Sequence, residues 1–241
     1  MKFLVQIVRY LVAVVFIFSG FVKLVDPLGS AYKFEEYFGA NVLNLEFLIP
    51  FALPFSIILI LVELLLGVFL LLGFKRKFTL WTLLVVILLF LFLTWYSAYY
   101  NKVTDCGCFG DAITLSPWDT FYKNIILGGL ILFVLWKGKF IYTLHSEVFG
   151  KWVSFLRLFV SLYIVYHVLI HLPIIDFRPY AIGNNITEGM QYIDDKDPPI
   201  HDFYLESLEG EDMTNTILEM DKVLLVVSYN LDKGDERGIS R

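Results

Sequence analysis

The chain contains five apolar blocks of about the length that crosses the hydrocarbon layer of a membrane, which takes about 20 residues of helix; the fourth block is the short one. Charged residues make up only 18% of the chain, against about 25% in soluble domains. A soluble core does not need apolar blocks of this length. The sequence therefore predicts an all-α membrane protein with spans at residues 3–25, 54–72, 78–99, 121–136 and 153–172.

Basic residues gather in the short loops at one end of these spans. They stand at Lys2, Arg9, residues 75–77, Lys137, Lys139 and Lys151. The positive-inside rule then predicts a cytoplasmic N-terminus, with the loop after span three and the C-terminal tail outside. The first segment has the apolar run of a signal peptide. We expect a retained helix instead, because Arg9 interrupts its start and no small-residue cleavage site follows.

The chain changes character after residue 172. An acidic segment leads to Pro198-Pro199-Ile200-His201-Asp202-Phe203, a turn at Glu209-Gly210 and an apolar run at residues 223–227. That run is typical of a buried strand, which needs neighbouring strands to pair its edges. Because few residues follow it, we expect residues 173–241 to open an α/β domain that is either truncated or completed by a partner.

The only two cysteines, Cys106 and Cys108, lie in the loop after span three, which reads Asp105-Cys106-Gly107-Cys108-Phe109-Gly110-Asp111. An even number of cysteines in an oxidising compartment favours a disulfide. A bridge across one residue is tight, and strained bridges are the labile ones. The flanking carboxylates disfavour a strongly activated thiolate. Three interpretations stay open: a redox-active pair, a structural staple, and a soft-metal site such as Cu(I).

Glu63 lies near the middle of span two, where an ionisable group costs about 2.5–3.5 kcal/mol on insertion scales. Span one offers two cationic partners, Arg9 and Lys23. Glu63, Lys23 and Arg9 together form a candidate intramembrane polar site. In a structural interpretation, Glu63 forms an ion pair or is a protonated, hydrogen-bonded carboxyl. In a functional interpretation, the site is a proton relay or the polar wall of a quinone-like pocket.

Other chemistry is weakly indicated. His167 and His171 have the spacing of metal ligands on a helix, but no third ligand is evident, so we predict an interfacial anchor and no metal site. No phosphate-binding loop, dinucleotide fingerprint, nucleophile elbow or zinc-protease motif occurs in the sequence. No basic stripe interleaved with aromatic residues occurs either, which argues against a nucleic-acid partner.

Three motifs follow one another along residues 5–136. They are Arg9 with Phe18-Ser19-Gly20-Phe21-Val22-Lys23-Leu24-Val25-Asp26-Pro27, then Glu63-Leu64-Leu65-Leu66-Gly67, then the Cys-Gly-Cys-Phe-Gly loop. In this order they resemble the bacterial DoxX-like membrane proteins and, within them, the branch related to MauE. DoxX-like proteins are linked to sulfur and quinone redox chemistry, and MauE-like proteins to disulfide formation in exported proteins.

The resemblance implies a DoxX-like four-helix transmembrane bundle at residues 1–140 in a bacterial inner membrane. A cytoplasmic loop and a fifth transmembrane helix follow at 141–172. Some relatives carry an exported thioredoxin-like domain, so residues 173–241 are expected to be a partial thioredoxin-like, periplasmic tail. A redox thioredoxin would place Cys-x-x-Cys after the strand at 223–227, and this chain has no cysteine there.

The sequence as a whole favours a membrane thiol–disulfide redox protein. Cys106 and Cys108 are its expected catalytic residues, an exported protein or another membrane subunit its partner, and a membrane quinone its candidate cofactor. The alternative is a non-enzymatic scaffold or assembly subunit in which the cysteines form a staple. A permease is disfavoured because the five spans contain no internal repeat.

Overall fold

The computed structural model describes residues 1–100, 107, 109–113, 115–142, 146–171, 173–177, 181, 183–190, 200, 204–207 and 209–220. It divides into two compact units, Met1–Arg178 and Pro179–Arg241. Cys106, Cys108 and the predicted strand at residues 223–227 lie outside the described residues.

The first unit is built from long apolar helices, and five helices within its described ranges are long and apolar enough to cross a membrane. These are α1 (Lys2–Val25), α3 (Ala52–Leu72), α4 (Arg76–Tyr100), α5 (Pro117–Trp136) and α6 (Glu147–Ile170). A short 3₁₀ helix at Glu46–Phe51 leads directly into α3. The prediction of an all-α, multi-pass membrane protein with five spans is confirmed.

Two spans begin earlier than their apolar cores. Helix α5 starts at Pro117, and the Ser116 hydroxyl accepts a hydrogen bond from the Asp119 backbone N–H at 3.2 Å. Helix α6 starts at Glu147, and the Ser146 hydroxyl accepts from Phe149 N–H in the same way. Both serines are N-caps, which stabilise the first turn of a helix. The spans were predicted from apolar runs alone, so these polar first turns were not included in them.

A helix that the sequence analysis did not predict occupies the segment after span one. Helix α2 (Pro27–Phe38) begins with proline at its first position, and the Asp26 carboxylate accepts from Gly29 N–H at 3.0 Å. It is held to α3 by the Ser56 hydroxyl, which donates to the Pro27 carbonyl at 3.0 Å. It is also held to α4, where the Ser97 hydroxyl donates to the Tyr37 hydroxyl.

Helices α1 and α3 approach each other closely through two glycines. A β-carbon added at Gly20 would lie 2.8 Å from Leu64 Cγ, and one added at Gly67 would lie 2.7 Å from Ile17 Cγ1. Small residues permit such close approach between membrane helices, where dispersion and hydrogen bonding rather than the hydrophobic effect hold helices together. The main apolar core lies between α1, α3, α4 and α5 and includes Val12, Leu70, Ile87 and Ile131.

The described residues of the second unit include two short helices, α7 (Ile186–Gly189) and α8 (Thr214–Leu218). Ile200 is buried, and its N–H donates to the Gly189 carbonyl at 3.0 Å. Glu206 and Asp212 form an isolated antiparallel bridge, and no longer strand occurs among the described residues. Hydrogen bonds from the Thr214 side chain and backbone N–H hold the pKa of Asp212 below its usual value.

Candidate functional site

A buried ion pair joins Lys23 of α1 to Glu63 of α3. The Lys23 ammonium donates to both carboxylate oxygens, at 3.1 Å to Oε1 and 3.0 Å to Oε2. Glu63 is 0% exposed and Lys23 is 4% exposed. Because neither charge reaches solvent, each depends on the other to offset the cost of leaving water.

Ser19 completes this site from the turn of α1 that precedes Lys23. Its hydroxyl accepts a hydrogen bond from Lys23 Nζ at 2.7 Å and donates one to Glu63 Oε2 at 3.2 Å. Ser19 and Lys23 are four residues apart, which places them on one face of the helix. The three N–H groups of the ammonium therefore have acceptors in one hydroxyl and one carboxylate.

Two clefts border the ion pair on different sides. The larger cleft has a cavity volume of about 40 Å³ and includes Lys23, Ser30, Lys33, Tyr37, Phe90, Thr94 and Gly107 in its wall. The smaller cleft has a cavity volume of about 20 Å³ and includes Ser19, Glu63, Phe90, Phe109, Lys123 and Asn124 in its wall. Phe90 lines both, and the Lys23 ammonium lies 5.6 Å from its ring centroid. Each cleft thus contains one member of the charged pair.

The described part of the loop between α4 and α5 packs against the same region. Gly107 has a φ of +60°, and a β-carbon there would lie 2.9 Å from Lys33 Cγ. The Phe109 ring packs against Phe18 of α1 and lies under the Lys123 ammonium, 4.1 Å from it. A residue other than glycine at 107 would be strained both by its backbone conformation and by the lysine chain. Gly107 is also the residue between Cys106 and Cys108 in the sequence.

Arg9 forms a second polar site, towards the opposite end of α1. It is 0% exposed, and its guanidinium donates to Gln6 Oε1 at 2.7 Å, Tyr142 O at 2.9 Å and Leu71 O at 2.7 Å. Leu71 belongs to the last turn of α3, whose final carbonyls have no partner within the helix. Arg9 therefore ties the end of α3 to the segment that precedes α6.

Of the two cationic partners predicted for Glu63, the structure supplies Lys23. Arg9 bonds to backbone carbonyls and to Gln6. The sequence alone does not show which of the two pairs with Glu63, because both lie on one face of α1. They differ only in their depth in the membrane. The depth of Glu63 against α1 is fixed by the glycine contacts at Gly20 and Gly67.

The family model of the methylamine utilisation protein MauE matches residues 1–137. This is more than half of the chain. The chain belongs to the MauE family. No curated protein and no solved structure matches it. The matched residues include α1 to α5, the Lys23–Glu63 pair, both clefts and the loop that holds Cys106 and Cys108, whereas α6 and the second unit follow the matched part.

One intramembrane charge of this MauE-family chain was missed by the sequence analysis. Arg157 lies near the middle of α6, and its guanidinium donates to the Leu61 carbonyl of α3 at 2.9 Å. A charged residue inside an apolar span is itself a signal of a functional or structural role, so the sequence contained the information. Arg157 holds α6 against the part of α3 that carries Glu63.

His167 and His171 stack on each other, with ring centroids 4.6 Å apart. Nδ1 of His171 lies 3.2 Å from the His167 carbonyl oxygen. Within the described ranges, no group of three or more His, Cys, Asp or Glu side chains could hold a metal ion. The two histidines therefore make ring-stacking and hydrogen-bonding contacts at the C-terminal end of α6.

Proposed function

We propose that this chain is a membrane thiol–disulfide redox protein in which Cys106 and Cys108 exchange a disulfide with an exported partner. A partner thiolate attacks one sulfur of the Cys106–Cys108 disulfide and displaces the other cysteine as a thiolate. A second partner thiolate then resolves the mixed disulfide. The partner loses two electrons and gains a disulfide, and the cysteine pair becomes a dithiol.

One observation carries this proposal. Gly107, which separates the two cysteines in sequence, lies in the wall of a cleft that also contains Lys23 of the buried ion pair. A structural disulfide only has to hold its loop closed. A redox pair also needs somewhere to pass electrons and protons, and a cleft beside an ionisable pair within the membrane supplies such a place.

The proposed reaction requires the cysteine loop to lie outside the cytoplasm. The basic residues of the short loops support an orientation with a cytoplasmic N-terminus, which places that loop and residues 173–241 on the periplasmic side of a bacterial inner membrane. Exported proteins acquire their disulfides in that compartment.

The second unit is proposed to open a thioredoxin-like domain, as the resemblance to DoxX-like proteins implies. The bridge between Glu206 and Asp212, with α8 directly after it, agrees with the hairpin and helix expected before the predicted strand at 223–227. Because both cysteines of the chain lie in the first unit, this segment would act by docking a partner and not by exchanging thiols.

The reduction potential of the Cys106–Cys108 pair tests the proposal. Thiol labelling of the purified protein across a dithiothreitol or glutathione redox series should give a value above about −230 mV, in the range of catalytic disulfides. A value below about −300 mV is that of a structural disulfide and would contradict the proposal.

Serine variants supply the control and the second readout. Of the single variants Cys106→Ser and Cys108→Ser, one should trap a mixed disulfide with an exported protein. The remaining cysteine can attack a disulfide of that protein in the reverse of the proposed reaction, and the second cysteine that would complete the exchange is missing. The double variant should keep the thermal stability of the parent. Loss of folding in the double variant, with no trapped partner in either single variant, would instead support the staple of a scaffold protein.

A further inference from the structure

Arg157 carries its charge at mid-depth of the membrane-spanning helices. It lies near the middle of α6 (Glu147–Ile170), and the carbonyl to which it donates, Leu61 O at 2.9 Å, lies near the middle of α3 (Ala52–Leu72). About ten residues of helix, or roughly 15 Å, separate it from the nearer end of α6. Because both partners of this hydrogen bond are at mid-span, the guanidinium lies in the hydrocarbon layer and does not reach the lipid headgroups.

The hydrogen bonds of Arg157 are few for a charge at that depth. Among the residues that the structure describes, Leu61 O is its acceptor, and its Nε has no hydrogen-bond partner. A guanidinium carries five N–H donors, and a carbonyl inside a helix also accepts the N–H four residues later. Arg9, by comparison, donates to three oxygen atoms. A carboxylate is the partner that would offset the cost of the Arg157 charge within the membrane.

The position of Arg157 on α6 makes it accessible from the lipid side. Residues three or four apart on a helix are neighbours, and Arg157 has a buried and an exposed neighbour one turn further on. Ser161 is 3% exposed, whereas Val160 is 49% exposed. Half-buried Arg157 therefore lies at the edge of the buried face of α6. Leu156 and Tyr163 extend the exposed strip beside it, so a further helix can lie along this strip without separating α6 from α3.

The carboxylates of the chain itself do not suit this position. Three acidic residues occur in α1, α3, α4, α5 and α6, and of these Glu63 lies at mid-span. Glu63 is 0% exposed and is paired with Lys23. Asp119 and Glu147 belong to the first turns of their helices. A second copy of the chain therefore has no mid-span carboxylate to offer, and the phosphates of lipid headgroups lie outside the hydrocarbon layer.

We propose that α6 docks against a transmembrane helix of another protein, in which a carboxylate at mid-span pairs with Arg157. That carboxylate accepts from the guanidinium N–H groups that Leu61 O leaves free. The exposed side chains of Leu156, Val160 and Tyr163 pack against apolar residues of the partner helix. Because α6 follows the part of the chain that matches the MauE family model, this surface is separate from the matched helices.

Binding of a model helix is the first test, and it leaves the protein unchanged. Full-length protein in phosphatidylcholine vesicles is titrated with a dansyl-labelled transmembrane peptide of leucine and alanine that carries one glutamate at its centre. Energy transfer from the tryptophans of the protein reports binding. Matched peptides carry glutamine at the centre, or glutamate roughly 10 Å nearer one end. The central-glutamate peptide should bind roughly tenfold more tightly than either, as expected for a close charge pair. Equal affinity of the three peptides would overturn the proposal.

Variants of α6 assign the binding to one side chain. Arg157→Met should lose the preference for glutamate over glutamine, and Arg157→Lys, which keeps the charge, should retain part of it. Lys151→Met is the matched control, because it removes a cation near the start of the same helix and should keep the tenfold preference. A preference that persists in Arg157→Met, or that disappears in Lys151→Met, would contradict a site at Arg157. Thermal unfolding followed by tryptophan fluorescence shows whether each variant is folded.

Other occupants of the surface give different results. Phosphatidylglycerol added to the vesicles should leave the glutamate preference unchanged, and loss of the preference would assign Arg157 to a lipid phosphate instead. Energy transfer between differently labelled copies of the chain that disappears in Arg157→Met would assign it to a second copy. Either result would overturn the proposed partner. The Cys106→Ser/Cys108→Ser variant should bind the glutamate peptide as the parent does, so this test does not depend on the thiol–disulfide proposal.

Discussion

Helix α1 buries a cation near each of its ends, and the two are satisfied in different ways. Arg9 donates to the backbone carbonyls of Leu71 and Tyr142, whose positions depend on the fold alone. Lys23 donates to the carboxylate of Glu63 and to the hydroxyl of Ser19. A guanidinium stays charged in proteins and a carbonyl cannot titrate, whereas a carboxylate and an ammonium both can.

This difference in partners distinguishes a structural site from a candidate functional site. The Arg9 site joins a helix end to a loop and has no member that can change its charge. The Lys23–Glu63 site has two such members, and both clefts described above adjoin it. A buried charge alone therefore does not identify a functional site; the kind of partner and the space beside it do.

The largest expected effect comes from breaking the ion pair on one side. Lys23→Met leaves Glu63 buried without its cation, and removing one partner of a buried pair typically costs about 3–5 kcal/mol. Unfolding of the detergent-solubilised protein, followed by tryptophan fluorescence, should show this loss. The double variant Lys23→Met/Glu63→Leu should recover most of it, and a single variant as stable as the parent would contradict the pairing.

A smaller loss is expected at the other end of α1. Arg9→Met leaves the carbonyls of Leu71 and Tyr142 without their donor, and we expect a cost of about 2–3 kcal/mol because an unsatisfied buried acceptor costs about 1–3 kcal/mol. Arg9→Lys, which keeps the charge and part of the bonding, should lose less. The reduction potential of the cysteine pair should stay unchanged in both, and a shifted potential would remove the distinction between the two sites.

The packing between the two sites can be tested at Gly67. In Gly67→Ala the new methyl group meets Ile17 Cγ1 at 2.7 Å, and overpacking of this kind costs about 1–3 kcal/mol. Gly129→Ala is the matched control, because no atom of another helix lies within 4 Å of a β-carbon at that position on α5. Equal stability of the two variants would show that α1 and α3 adjust their spacing freely.

The smallest effect is expected at Ser19. Ser19→Ala removes one acceptor of Lys23 and one donor to Glu63 but leaves the ion pair, so the cost should be about 1 kcal/mol. Ser154→Ala, whose hydroxyl donates to the Gly150 carbonyl within α6, provides a comparison outside the site. A loss as large as that of Lys23→Met would mean that Ser19, and not Glu63, satisfies the ammonium.

The sequence predicted the spans well because membrane helices follow from apolar length alone. Their polar ends were predicted less well, since Ser116 and Ser146 act through caps outside the apolar runs. Helix α2 was missed for a related reason. It is short and rich in polar residues, and its clearest signal is the Asp26-Pro27 start.

The candidate site was predicted in composition but not in geometry. Glu63 can be identified from the sequence because it lies near the middle of an apolar span, where inserting an ionisable group costs free energy. The choice of Lys23 over Arg9 as its partner depends on how closely α1 and α3 approach at Gly20 and Gly67. The clefts could not be predicted, because their walls combine side chains of four helices and a loop residue. Arg157 was overlooked although its position inside an apolar span marks it.

The aromatic ring of Phe90 forms part of the wall of both clefts, and the Lys23 ammonium lies beside it. One ring and one ion pair therefore border the two clefts from both sides. Traffic of water or protons between them would be governed by the rotation of single side chains, which is far faster than the rigid-body movement of helices. A connection between the clefts would therefore need no movement of the backbone.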